Sequence, residues 1–567
     1  MSCQEEDTDV NVRTRYLGIG VSPGRAVGPV KKVFPRVSEP AARFLPAEKD
    51  PYAEVERVQQ AAAQTAANLR LRAELTGGAG AEVLHTAAQI AEDPVLLEVA
   101  ADLIVNRLLV PARAVWEAAE LLAETLREMG GYMADRALDV FDVRDRIIAR
   151  LCGRPAPGLP TPDIEHVLWA ADLAPSDTAL LDVTKVKAIV ISEGGPTSHT
   201  AIVARELGLP CVVAAPKSSR LRDGMLVLVD GAAGTVTVDP TEEQVNAAQE
   251  RIEKRVFDGI GQLACGHRVP LLANISDAAG AAKAAAVKAE GIGLLRTELR
   301  YLGLAEEPDI DTQIAHYTEI FEAAPPGRIV VRTLDAGSDK PLAYLPMGRE
   351  ANPALGMRGY RISRKYWDVL TRQLKAIAAA REATGTDVWV MAPMISTPGE
   401  ASEFVQACRE AGLPAAGVMV EVPSSALRAK QILAEADFAS IGTNDLSQYT
   451  MGSDRLLGAL ADLTDPWHPA VLDLIEATCR GGQQQDRPVG VCGEAAADPA
   501  LAVVLVGLGV ASLSMAARSI ADVAAVLETV TLAQARELAG VALAADSARS
   551  ARQAVRDRLD VLPRLGL

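Results

Sequence analysis

The sequence predicts a multidomain α/β protein in which a small β/α domain, interrupted by an inserted helical bundle, precedes a (β/α)8 barrel. Three observations lead there. The chain has 567 residues, too many for one compact core, and length alone sets a prior of three or four domains. Its hydrophobic periodicity is strand-like near residue 20, helical from Glu48 to Leu151, and alternating afterwards. Finally, the second half contains eight short apolar segments separated by helical stretches, the count a (β/α)8 barrel requires.

In chain order, residues 1–15 (MSCQEEDTDVNVRTR) read as a polar tail, and 16–35 are rich in Gly and Val, like strands joined by turns. Residues 36–151 carry Ala, Leu, Glu and Arg at helical spacing and are expected as an inserted bundle. The cluster CGRPAPGLPTPD at 152–163 ends the insertion. The segments HVLWAADL, VKAIVI, CVVAAP, MLVLVD and GTVTVDP then alternate with helices, so that 16–35 plus 152–240 make one β/α domain. Residues 241–263 read as a charged linker helix with few core positions. From 264 to 567 the apolar segments are 271–275, 292–297, 329–334, 388–394, 417–422, 438–444, 489–494 and 512–516. An open doubly wound sheet has the same alternation, and the count does not exclude it.

Composition narrows the function classes. Hydrophobic residues make up 49% and charged residues 23%, as in ordinary soluble proteins. The formal net charge of −17 argues against non-specific binding to nucleic acid or anionic membranes. No basic stretch leading into an apolar run opens the chain, so no secretory signal is expected. The longest uncharged run, Pro499–Ala517, contains Gly507, Gly509, Ser512 and Ser514, and reads as a buried helix entering a buried strand rather than a membrane span. Seven cysteines without paired spacing favour free thiols in a reducing cytoplasm over disulfides or a zinc site.

Catalytic groups of such a barrel lie at the C-terminal ends of its strands, and here those ends are polar. The second carries Arg296, Thr297 and Glu298; the third Arg332 and Asp335, with Lys340 in the loop beyond; the fifth Glu421; the sixth Asn444 and Asp445; the seventh Cys492 and Glu494. One Arg or Glu at a strand end is usually an ion pair, but several of each suit a phosphorylated carboxylic acid. Arginine forks bind phosphate and carboxylate, and two carboxylates can hold Mg²⁺ against a substrate phosphate. Apart from these, EGGPTSHTAIVARELG at 193–208 places His199 where a strand turns into a helix ended by Gly208 and Pro210. Backbone amides with the Thr197 and Ser198 hydroxyls would receive an anion there, and imidazole can carry a phosphoryl group. The same residues read equally as a glycine-rich turn whose histidine caps a helix.

The stretches GGPTSHTAIVAR and DFASIGTNDLSQYTMGSDR (437–455) resemble the two signatures of the phosphoenolpyruvate-utilising enzymes, with Ala439 replacing a larger apolar residue. The similarity extends through GIGLLRTE, VRTLDAGSDK, NPALGMRGYR, GVMVEVPSSA and VCGEAAAD, and so covers nearly all of 17–540. No ATP-binding region precedes the His199 segment, so the domain order is similar to enzyme I of the phosphoenolpyruvate-dependent sugar phosphotransferase system. The resemblance implies a swivelling phosphohistidine domain with His199 as the phosphorylated nucleophile. It implies phosphoenolpyruvate bound by Arg296, Arg332, Lys340, Arg358, Asn444 and Arg455, Mg²⁺ bound by Glu421 and Asp445, and Cys492 as the acid that protonates the enolate of pyruvate. It further implies that the insertion 36–151 docks the phosphocarrier HPr, and that the barrel forms a homodimer in the cytoplasm. In EVLHTAAQIAEDP the family's usual histidine is replaced by Ala87, and His85 is out of register. A phosphohistidine signalling protein with little turnover is the alternative from another class; the barrel's polar groups favour the enzyme.

Overall fold

The computed structural model describes residues 14–567 apart from 23, 34–36, 77, 130–136, 155–156, 161–163, 174, 179–180, 196–197, 250–254, 302–303, 305, 338–341, 347, 349, 456, 458–459, 461 and 566. The chain divides into two compact units, Met1–Glu250 and Arg251–Leu567.

The first unit is built on a mixed sheet of β1 (Arg15–Leu17), β2 (Ile19–Ser22), β3 (Arg25–Lys32), β4 (His166–Ala170), β5 (Val186–Ile191), β6 (Cys211–Val213), β7 (Leu226–Asp230) and β8 (Thr235–Val238). Their order is β1-β8-β7-β3-β4-β5-β6-β2. Strands β3 to β6 run parallel, and the flanking strands pair antiparallel. In β5 every residue but Lys187 is buried, as expected of a parallel strand covered on both faces. The N-terminal segment thus completes the domain that the later strands begin.

Between β3 and β4, which are neighbours in the sheet, the described residues form the helices Pro51–Thr76, Gly78–Ala91, Pro94–Val105, Pro111–Met129 and Ala137–Leu151. Their shared core is rich in alanine, with Ala62, Ala66, Ala88 and Ala119 fully buried beside Leu84 and Ile147. Small side chains let these helices approach closely. Asp93 caps the helix Pro94–Val105, accepting from the Val95 and Leu96 amides ahead of Pro94. Arg146, on the last insertion helix, is 2.8 Å from Asp142 and 3.4 Å from Asp177 in the sheet domain.

The helix expected over 241–263 is shorter than the charge pattern suggests. It runs from Glu242 to Gln249, and residues 255–263 are not helical. Gly259 has φ of 101°, a conformation that ends a helix and suits glycine. Phe257 and Leu263 leave the polar pattern to bury themselves in the core of the second unit. Burial of two large apolar side chains outweighs the local helical preference.

The second unit is a closed barrel of β9 (Leu271–Ile275), β10 (Ile292–Arg296), β11 (Ile329–Arg332), β12 (Val388–Ala392), β13 (Ala415–Val420), β14 (Ala439–Gly442), β15 (Val489–Cys492) and β16 (Ser512–Met515). Every pairing is parallel, and β16 returns to β9 through Leu513↔Leu271 and Met515↔Ala273. That closure excludes the open sheet. The main core lies between strands and helices, whereas Leu294, Val330, Met391, Met419, Phe438 and Cys492 form a separate cluster. The helix Pro499–Gly507 is almost wholly buried and leads into β16, as its uncharged sequence suggests. Among the described residues no helix is long and apolar enough to cross a membrane, and the six described cysteines are free.

Candidate active site

Several strands stop where their apolar segments become polar. β10 and β11 end together, with Arg296 and Arg332 register partners on adjacent strands. Arg332 is buried, 2.6 Å from Glu298 and 3.1 Å from Asp335. Burial alone would lower its pKa, but Glu298, Asp335 and Glu421 outweigh that and raise it, so it stays charged.

Arg358 is also fully buried, with Asp445 at 3.0 Å, Asp335 at 3.7 Å and the Tyr449 hydroxyl at 3.2 Å. The Arg358–Asp445 contact is an ion pair without hydrogen-bond alignment, since Asp445 Oδ1 accepts no hydrogen bond from the described residues. The other oxygen, Oδ2, accepts from Arg455 at 2.9 Å. Asn444 and Asp445 begin the helix Thr443–Met451 directly after β14, and a carboxylate in a first turn is favoured by the helix dipole.

Glu421, one residue beyond β13, is buried and accepts the Met394 amide at 2.8 Å. Burial, followed by the neighbouring Asp445 and Asp335 carboxylates, pushes it up to about 7, with Arg332 and Arg358 pulling the other way. A Cβ on Gly442 would sit 2.8 Å from Glu421 Oε1, so glycine makes room for that carboxylate. Cys492 is the register partner of Gly442 across β14 and β15. Burial pushes its thiol up to about 11, and the thiol donates to the Ile441 carbonyl at 3.6 Å.

The structure therefore brings Arg332, Arg358, Glu421, Asp445, Arg455 and Cys492 to one end of the barrel, with Arg296 and Asn444 at adjoining strand ends. Lys340 lies outside the described residues. Among the described residues, buried Glu298 Oε2, Arg332 Nε, Thr443 Oγ1 and Asp445 Oδ1 have no hydrogen-bond partner, a concentration that marks a ligand site rather than a finished core. Among the described residues no group of three or more His, Cys, Asp and Glu could hold a metal. Glu421 and Asp445 suit instead a hard cation that takes one or two carboxylates and completes its shell with water and substrate oxygens.

Three supporting residues escaped the sequence reading. Met394 follows β12 with φ of 59°, a strained conformation that turns its amide toward Glu421. Tyr449 holds Arg358. Gln373, buried within the helix Trp367–Thr384, accepts the Leu334 amide at 3.1 Å and donates to Thr297 at 3.2 Å and Tyr317 at 3.0 Å. Thr297 in turn donates to the Arg332 carbonyl at 2.9 Å. The amide of Gln373 thus ties the ends of β10 and β11 together. A glutamine inside an otherwise apolar helix face was the only available signal.

In the first unit, the helix His199–Leu207 follows β5 after the turn at Gly194, where φ is 75°. Ser198 caps it by accepting the Ala201 amide at 3.3 Å, and Gly208 closes it with φ of 69°. Arg205 anchors the helix to β2 by donating to the Val21 carbonyl at 2.9 Å. His199 is thus the first helical residue, as expected; its side chain and the whole of Thr197 lie outside the described residues. On the insertion, His85 is exposed and Ala87 is buried in the helical core.

Three family models match the chain. Residues 251–532 match the phosphoenolpyruvate-binding domain of phosphoenolpyruvate-utilising enzymes, 163–234 their mobile domain and 17–136 their N-terminal domain. The chain is 48% identical over 553 residues to a phosphoenolpyruvate-protein phosphotransferase of Streptomyces coelicolor, covering 96% of this chain and 99% of that protein. It is 38% identical over 548 residues to one from Haloferax volcanii, covering 94% and 97%. Among solved structures, a solution structure of an Enzyme I protein aligns with 31% identity and a TM-score of 0.38, over 42% of this chain and 97% of that one.

Proposed function

The chain belongs to the phosphoenolpyruvate-utilising enzymes, as a phosphoenolpyruvate-protein phosphotransferase, and from that premise we propose how its residues divide the reaction. The observation that carries the proposal is the buried network at the strand ends. There Arg332, Arg358 and Arg455 are neutralised by Glu298, Asp335 and Asp445. A trianionic substrate can exchange for part of that pairing. The arginines stay charged on its arrival because their guanidinium groups do not deprotonate.

Arg296, Arg332, Arg358 and Arg455, with Asn444 and Lys340, bind the phosphate and carboxylate of phosphoenolpyruvate. Glu421 and Asp445 are the protein's ligands to a divalent metal, which the family needs, and Mg²⁺ is the ion these hard donors suit. That ion, when bound, neutralises charge on the phosphoryl group in transfer. His199 accepts the phosphoryl group on a ring nitrogen, leaving the enolate of pyruvate, and Cys492 donates a proton to the enolate carbon. His199 then passes the group to a histidine of HPr docked on the inserted helices, the first step of sugar uptake. We assign the chain to the cytoplasm as a homodimer through the barrel. His199 lies in one unit and the substrate groups in the other, so a swing about the segment 241–263 would serve the two transfers in turn.

Radiolabelled phosphoenolpyruvate with Mg²⁺ should place acid-labile label on the wild-type chain and none on His199→Ala. Label surviving in that variant overturns the assignment.

A further inference from the structure

The helix Thr443–Met451 carries Asp445, Gln448 and Tyr449 at i, i+3 and i+4, spacings that share one helix face. Asp445 pairs with Arg358 at 3.0 Å and with Arg455 at 2.9 Å, and the Tyr449 hydroxyl accepts from Arg358 at 3.2 Å. Two arginines of the site are therefore held from this one face by their guanidinium groups. Gln448, which is buried, acts on the main chain instead.

Its backbone carbonyl accepts the Gly452 and Ser453 amides, closing the helix where Gly452 takes φ of 59°. Any residue could supply that carbonyl. The side chain does something that depends on its identity, because Oε1 reaches on to accept the Arg455 amide at 2.9 Å. Arg455 stands in a turn, outside helix and strand, so no ladder of backbone bonds fixes its main chain. Asp445 grips the far end of this residue and Gln448 the near end. Packing does not explain the choice of side chain. A methionine fills a similar length with no polar atom to satisfy, and an asparagine falls one methylene short.

We propose that Gln448 is a positioning residue, which fixes the main chain of Arg455 and so sets where that guanidinium meets the phosphoenolpyruvate anion. The inference rests on Arg455 being a substrate ligand. A long, flexible side chain places its charged end accurately only from a fixed starting point, and a small misplacement in a preorganised site is costly. Asp445 cannot supply that fixity throughout, since the arriving anion competes with it for the guanidinium. The bond from Gln448 uses the backbone, so it survives when that ion pair opens and keeps the arginine in reach of the substrate.

The test is calorimetric binding of phosphoenolpyruvate with Mg²⁺ to the full chain carrying His199→Ala, so that no transfer follows. Gln448→Met should raise Kd about tenfold, and Arg455→Met should raise it further. Adding Gln448→Met to Arg455→Met should change nothing more, because no guanidinium is left to place. A general folding defect would appear in both backgrounds and cannot imitate that result. Gln448→Glu keeps an acceptor at the same reach and should stay within about threefold of the parent. An unchanged Kd in Gln448→Met, or a further loss of similar size in the double variant, overturns the positioning role. If Arg455→Met abolishes measurable binding, the rescue decides, and Gln448→Glu binding as weakly as Gln448→Met overturns the proposal. An unchanged Kd in Arg455→Met removes the premise instead, taking Arg455 out of the substrate site and the proposal with it.

Discussion

Replacing Asp177 by asparagine should change how the stability of the first unit depends on pH. Asp177 is buried where the insertion meets the sheet domain, 3.4 Å from Arg146. A Cβ on Gly158 would lie 2.9 Å from its Oδ1, so the chain closes tightly over the carboxyl. Burial first, and then the Asp142 carboxylate, raise it from its usual 3.8 to about 6, against the pull of Arg146 and Arg72. A raised carboxyl favours the protonated folded state. Its contribution is therefore complete below pH 3.8 and is lost as pH rises through 6. In full it is about 3 kcal/mol, of which about 1.4 kcal/mol disappears between pH 5 and 7.5. Asparagine resembles the protonated acid and does not titrate. Urea unfolding of residues 1–250, wild type and Asp177→Asn, at pH 5 and pH 7.5 measures the difference. The variant should gain about 1.4 kcal/mol on the wild type over that interval. Stability differences equal within about 0.3 kcal/mol at the two pH values would refute the reasoning, because burial would then not control this carboxyl.

Divalent-cation affinity should weaken as pH falls below neutrality, because Glu421 must lose its proton to act as a ligand. Mn²⁺ binding followed by electron paramagnetic resonance at pH 8 and pH 6 would reveal it, and Glu421→Gln should bind weakly with little pH dependence; equal wild-type affinities would count against the two-carboxylate site. Gly359→Ala should destabilise the barrel by about 1–3 kcal/mol, since Gly359 has φ of 57° and a Cβ there would lie 2.9 Å from Met394 Cβ. Thermal unfolding measures that cost, and a raised KM for phosphoenolpyruvate should accompany it through the adjacent Arg358. Gln373→Leu leaves the buried Leu334 amide without its acceptor, a loss of about 1–3 kcal/mol. Steady-state kinetics should show KM for phosphoenolpyruvate rising more than kcat falls if this glutamine positions Arg296 and Arg332, whereas an unchanged KM would reduce it to packing.

Much of the architecture could be read locally. The eight barrel strands declare themselves because each is a short apolar run bounded by turn residues, and β16 and its preceding helix stand out because neither carries a charge. His199 is legible as the start of a helix from Ser198 before it and Gly208 after it. Arg332, Glu421 and Asp445 attract notice because charges at the ends of apolar strands are costly unless they meet. Local pattern failed at 255–263, where the polar residues suggested a helix but Phe257 and Leu263 are claimed by a core formed from residues far along the chain. It also left open whether the strands close, since only the pairing of β16 with β9 distinguishes a barrel from an open sheet. The sequence alone thus determined the strands, the helices and the chemical types gathered at their ends, because periodicity and caps act between near neighbours. Only the tertiary structure decided that Arg358 shares Asp335 and Asp445 and that Gln373 joins two strand ends, because those contacts depend on barrel closure and on burial between residues distant in the chain.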